Sequence, residues 1–174
     1  MEEPKSTNHS CLFILAFCIG LLMVLQTPAY PGEICAHGID GQVQDKGADA
    51  TYTGWGIDYD VAGTGSWLQY PIQIESGTRI KAIRILFSRS GTHYKDGWIR
   101  NVHVYDGNRR VKSFDNLYTG KGDPNKTINK VLSMQPIQFH NGIGISILPE
   151  TKNVGGLKAI VNMEFHAVCV VTSP

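Results

Sequence analysis

The side chains best suited to engage a ligand are flat aromatics set beside carboxylates, amides and guanidinium groups. Trp55, Trp67, Trp98, Tyr94 and Tyr118 fall in or beside expected loops and strand ends. Trp98 and Tyr94 stand out because Ser88 to Gly97 is polar and turn-rich, and Arg100 follows closely. Such rings can stack on the apolar face of a sugar while neighbouring polar groups bond its hydroxyls; they can equally fill a core. Asp58 and Asp60 lie two apart, so a strand would put both carboxylates on one face, with Asp40, Asp45 and Asp49 upstream. Calcium needs six to eight oxygen ligands, and no ordered ligand spacing is present, so a solvated acidic face is the plainer alternative. The histidines have no zinc-type spacing, and His103 and His166 are expected to face solvent. No Gly-x-Ser-x-Gly elbow occurs, and Gly63-Thr64-Gly65 lacks the lysine of a phosphate loop. Asn125-Lys126-Thr127 is a glycosylation sequon, relevant only in a chain exported through an endoplasmic reticulum.

The elements that must position these residues read as strands, because apolar residues recur with period two and no helical period persists. From Leu157 to Val171 every second residue is apolar, including Val161, Met163, Phe165, Ala167 and Cys169, which predicts one long strand. Arg79–Phe87, Trp98–Tyr105 and Arg109–Phe114 follow suit, with Ile83, Ile85 and Phe87 on one face of the first. Asp106-Gly107 between two of these runs predicts a hairpin with a type I′ turn. Weaker strands are expected at Ala36–Gln44, Thr53–Val61, Trp67–Ile74, Ile128–Ser133 and Ile137–Leu148. Gly54-Trp55-Gly56 falls inside one of them, and Asn141-Gly142 in the last marks a bulge or a tight turn. Many short strands without intervening helices predict an all-β, jelly-roll-like sandwich of roughly nine strands. Its longest loop is expected at Asn116–Lys126.

An N-terminal hydrophobic signal or anchor helix precedes the sandwich. Cys11 to Leu25 is a run of fifteen residues, all apolar or glycine, ending at Gln26-Thr27-Pro28-Ala29. That is the layout of a signal peptide cleaved after Ala29, with residues 30–174 as a single domain. An uncleaved anchor through residues 11–25 is the alternative, although fifteen helical residues span only about 22 Å of a ~30 Å hydrocarbon core. Either arrangement places the domain outside the cytoplasm, with membrane contact only through that segment. There Cys35 and Cys169, near the two ends of the domain, can form a disulfide; two buried thiols are the competing state. The formal charge of +1 is spread in alternating signs, with Arg109-Arg110 the only adjacent basic pair. Nucleic-acid binding, which needs a basic stripe, is disfavoured.

Several stretches carry a resemblance. They are Gly54-Trp55-Gly56, Trp67 leading to Tyr70-Pro71-Ile72, Ile99 to Gly107, Phe114-Asp115, and Gly142-Ile143-Gly144-Ile145-Ser146. Together they resemble a group of small, mostly bacterial, all-β proteins of uncharacterised function, over roughly residues 36–168. The resemblance implies the fold and carries no catalytic or ligand-binding residue. Three functional expectations follow from the residues themselves. The first is a non-catalytic binding or adhesion module, with carbohydrate as the ligand class and no resident cofactor apart from the calcium option. The second is a structural or envelope-associated protein acting through protein–protein contacts. A hydrolase ranks third, because it needs a cleft holding a carboxylate or Ser/His pair.

Overall fold

The computed structural model describes residues 32–45, 48–118 and 123–174. The leader expected at residues 1–29 lies outside them. The strands are β1 (Glu33–His37), β2 (Gln42–Val43), β3 (Ala50–Tyr52), β4 (Ile57–Ala62), β5 (Leu68–Ile72), β6 (Arg79–Ser90) and β7 (Gly97–Asp106). They continue with β8 (Arg109–Phe114), β9 (Ile128–Gln138), β10 (Ile143–Thr151), β11 (Asn153–Val154), β12 (Leu157–Lys158) and β13 (Ile160–Thr172). Nine of them have five residues or more, as the turn-punctuated alternation predicts.

Two antiparallel sheets form a jelly-roll-like sandwich. One has the order β3-β4-β13-β6-β9, with β1 also on β13; the other runs β2-β5-β10-β7-β8. From β4 to β7 the chain switches sheet at every step. Apolar residues of both sheets share one core, with Ile57, Val61, Ile85, Phe87 and Phe165 from the first and Leu68, Tyr70, Val102, Val104 and Ile145 from the second. Each such side chain contributes roughly 1.5–3 kcal/mol by leaving water.

The long strand β13 shows how alternation becomes architecture. Val161, Met163 and Phe165 point into the core as expected. Between Phe165 and Ala167 the register on β6 shifts, and beyond it Val168 and Val170 are the core residues. This bulge moves the inward phase by one residue, so Ala167 and Val171 are not the buried pair that strict alternation implied. The strand also changes partner: its first half pairs with β4 and its second half with β1. A register shift between Ile80 and Ala82 likewise brings Ile80 inward alongside Ile83. Leu157 is 76% exposed on the separate β11–β12 hairpin rather than inside β13.

Three turns depart from expectation for local reasons. The Ala36–Gln44 strand is broken at Gly38–Asp40 by a single 3₁₀ turn, where the Asp40 carboxylate accepts the His37 N–H at 2.8 Å. Gly54-Trp55-Gly56 forms the turn between β3 and β4, closed by Thr53 Oγ1 accepting the Gly56 N–H at 3.1 Å. At the β7–β8 hairpin only Gly107 has positive φ (59°), the pattern of a type II′ rather than a type I′ turn. Asn141-Gly142 is the corner at which the chain passes from β9 in one sheet to β10 in the other. Cys35 and Cys169 are directly paired across β1 and β13 and are joined by a disulfide.

Candidate functional site

The outer face of the five-stranded sheet gathers aromatic and hydrogen-bonding side chains into ordered rows. Strand alternation sends Leu68, Tyr70, Val102, Val104 and Ile145 inward, which leaves Trp67, Gln69, His103, Tyr105 and Ser146 on the other side. Cross-strand register sets Gln69, Ser146 and His103 in one row and Pro71, Gly144 and Tyr105 in the next. The Ser146 hydroxyl donates to Gln69 Oε1, tying two neighbouring strands on this face. Trp67 reaches across β10 to His103, with ring centroids 4.6 Å apart, and His103 meets the Tyr105 ring edge-on at 6.5 Å. His103 is therefore largely covered rather than solvent-facing, and its Nε2 lies 3.2 Å from Asp115 Oδ1.

At the beginning of β7 the face continues with Trp98, whose ring lies 5.6 Å from that of Tyr118. Arg100 Nη1 donates to Glu150 Oε1 at 3.0 Å, and Thr64 Oγ1 donates to the same oxygen at 3.2 Å. Beneath these rings the buried Arg89 donates to the Gly97 carbonyl. Burial lowers the pKa of Arg89, opposed by the nearby Tyr118 and Tyr94. The positively charged side chain thus holds the start of β7, between the turn that carries Tyr94 and the strand position of Trp98.

Trp67 also lines a cleft of about 650 Å³ at the edge of the sandwich, together with Asp45, Asp49, Asp60, Thr64 and Ser66. Its wall is held by Asp45 N–H on Ser66 Oγ at 2.9 Å and by Ser66 N–H on the Tyr59 hydroxyl. Burial raises the Tyr59 pKa, so this phenol stays neutral. The cleft and the aromatic face meet at Trp67.

The residues singled out from sequence distribute unevenly. Trp98 and Arg100 stand on this face, and Tyr94 lies on the 3₁₀ turn just before β7, with Lys95 Nζ 5.4 Å from its ring centre. Trp55, 67% exposed, belongs to the β3–β4 turn in the other sheet and is not grouped with Trp98. Asp58 pairs across from Glu164, while Asp60 Oδ1 accepts Asn162 Nδ2–H at 3.0 Å and lines the cleft. Among the described residues, Asp58 and Asp60 join no group of three acidic, histidine or cysteine donors lying within 4.8 Å of one another. The one such group is Glu33, Cys35 and Cys169, whose sulfurs are bonded to each other. Asn125 is exposed with φ 60°. Trp67, His103 and Tyr105 were not singled out as one site, because their proximity arises only from the order β5-β10-β7.

On the outer face of the six-stranded sheet, His166 Nε2 lies 3.1 Å from Ser88 Oγ and His166 Nδ1 lies 3.9 Å from Glu164 Oε1. The Ser88 hydroxyl is also 3.5 Å from Glu164 Oε2. None of the three residues lines the 650 Å³ cleft or the 330 Å³ groove beside β12. A serine hydrolase needs a substrate cleft at its nucleophile, and neither of these two reaches Ser88.

No protein-family profile and no curated protein matches the sequence. Among solved structures, a xylan-binding module, CBM15, has a similar fold: the TM-score is 0.55 at 11% identity, covering 82% of this chain and 97% of that one. The CBM36-1 domain of a multidomain xylanase from the hindgut metagenome of Trinervitermes trinervoides aligns at TM-score 0.46 and 10% identity, covering 82% and 99%. TmCBM61 in complex with beta-1,4-galactotriose aligns at 0.45 and 13%, covering 74% and 85%. At these identities the likeness is one of fold.

Proposed function

We propose that this domain is a non-catalytic carbohydrate-binding module that receives its ligand on the outer face of the five-stranded sheet. The observation that carries the proposal is the aromatic row of Trp67, His103 and Tyr105, continued by Trp98 and Tyr118 and interleaved with Gln69, Arg100 and Glu150. From Trp98 to Tyr105 the face runs for roughly 20 Å at about 3.3 Å per residue, long enough for an extended chain of sugars. Rings supply stacking area, and polar side chains already held by their neighbours meet hydroxyls with little further ordering. The fold shared with a xylan-binding module agrees with this use of the sandwich. The hydrophobic leader and the disulfide support an exported location, secreted or held at the membrane by residues 11–25.

The test is glycan-array and polysaccharide-gel binding by the whole protein, with Trp67→Ala and Trp98→Ala as variants. Each substitution removes a central aromatic contact, so affinity should fall about tenfold or more while the far-ultraviolet spectrum and melting point persist. Binding to no glycan, or undiminished binding by both folded variants, overturns the proposal. A protein–protein role is the second reading, and one observation favours it. Val154, Leu157 and Ile160 expose 38%, 76% and 62% of their surface on and beside the β11–β12 hairpin. It requires a self-associating species in sedimentation velocity that Leu157→Asp abolishes.

A further inference from the structure

On the aromatic face the charged and titratable side chains of β7 already have carboxylate partners. Arg100 is bonded to Glu150, and His103 lies against Asp115. On the edge strand β8, Arg109 approaches the Asp106 carboxylate at 3.8 Å, and Lys112 lies 5.3 Å from the centre of the Phe114 ring. Arg110 is different. The register places it directly opposite Tyr105, and it is exposed, with no carboxylate in salt-bridge range among the described residues. Opposed residues on one face have Cβ atoms about 4.5–5.5 Å apart, so the Arg110 side chain starts beside Tyr105 with its guanidinium within reach of whatever sits against that ring.

The other side of Tyr105 is bare. Gly144 is its cross-strand neighbour there, with Pro71 beyond, so no side chain fills the space between proline and tyrosine. A Cβ added at Gly144 would come 3.6 Å from Tyr105 Cβ, ordinary contact, so that floor is open rather than tightly packed. A sugar ring seated over Gly144 against Tyr105 directs an exocyclic group toward Arg110. Arginine presents a planar fork of donors that matches a carboxylate and retains its charge at every physiological pH.

Resting on the glycan-binding reading, we propose that the ligand is an acidic glycan whose anionic substituent is received by Arg110 beside Tyr105. Uronate carboxylates and sulfate esters share this chemistry, and the fork geometry favours the uronate. The test measures binding of the whole protein to glucuronoxylan and to polygalacturonate, each beside its carboxyl-reduced neutral form. Sulfated dextran and polyglutamate complete the panel. At least one uronate polymer should bind about fivefold or more tighter than its reduced form. Arg110→Gln should close that gap, Arg110→Lys should close it only in part, and 0.5 M salt should narrow it. A tighter grip on sulfated dextran than on either uronate polymer overturns the carboxylate assignment and identifies sulfate. Equal affinity for acidic and reduced polymers overturns the role of Arg110 and leaves the glycan reading standing. Polyglutamate binding as tightly as the sugars means a general cationic patch and refutes the inference. Binding to no polysaccharide in the panel, or to any glycan array, removes both.

Discussion

Replacing both Cys35 and Cys169 with serine measures how strongly the two ends of the domain are tied. The bridge joins positions 134 residues apart in sequence. Closing a loop of that size removes chain entropy from the unfolded state worth about 5 kcal/mol at 25 °C in the loop-closure model, an upper limit. Domains of this size have a total stability of roughly 5–15 kcal/mol, so the variant should lose about a fifth of it or more. The native arrangement survives the loss, because β1 stays paired with β13 over five positions and Glu33 still bonds Arg84 on β6. Urea titration of oxidised protein and variant should therefore give a difference of about 3–5 kcal/mol, and a melting point lower by roughly 10 °C or more. The denaturant slope should rise, since the uncrosslinked chain expands further when unfolded. Thiol counting on the denatured, unreduced chain should find Cys11 and Cys18 reactive, and no thiol once the leader is removed. A stability difference under about 1 kcal/mol with unchanged slope refutes the reasoning.

Three further outcomes follow from individual residues. Asp106 has its pKa lowered because the Asn141 and His140 N–H groups bond its ionised carboxylate. A folded-state pKa below the unfolded one gives stability that is present above about pH 4 and lost as pH falls through the lowered value. Asp106→Asn should thus reduce the melting point at neutral pH and flatten its decline in acid; parallel curves for the two proteins would exclude this. In Gly38→Ala the new Cβ would lie 1.9 Å from the Phe165 carbonyl oxygen and 2.9 Å from that of His166. Both obstacles are backbone of β13, so the loss in a urea titration should exceed about 3 kcal/mol, and a loss under 1 kcal/mol contradicts the packing argument. Millimolar calcium should leave the melting point within about 1 °C, since Asp58 and Asp60 gather no third close donor among the described residues. A rise of several degrees that Asp60→Asn removes would assign a calcium site instead.

Local signals in the sequence carried the strands and not their company. Arg109–Phe114 was legible to its ends because Asp106-Gly107 and Phe114-Asp115 bracket a short β-prone run. The β13 pattern was legible only as far as Phe165, since an extra residue at a bulge leaves the list of apolar positions unchanged while exchanging the faces they serve. Gly54-Trp55-Gly56 read as strand because Thr53 and Ile57 flank it; the Thr53 hydroxyl that closes the turn is a three-dimensional contact. Trp98 and Arg100 were found through their own neighbourhood in sequence. Trp67 and His103 meet across an intervening strand that comes some forty residues later, and no local window holds that pairing.

The pairing of β1 with β13 joins the first and last strands of the described domain. Among the strands of the described domain, synthesis delivers β1 before all others and β13 after all others. Until then Cys35 has no correct partner, and the core positions that Val161, Phe165, Val168 and Val170 will fill are open to water. Contacts so far apart in sequence form slowly and expose sticky intermediates while they wait. A chain shortened by a dozen residues at its C-terminal end therefore forfeits the central strand of one sheet, not a peripheral tail. Oxidation of Cys35 with Cys169 therefore cannot precede the arrival of β13, and the closed disulfide marks a chain in which the core's central strand is already present.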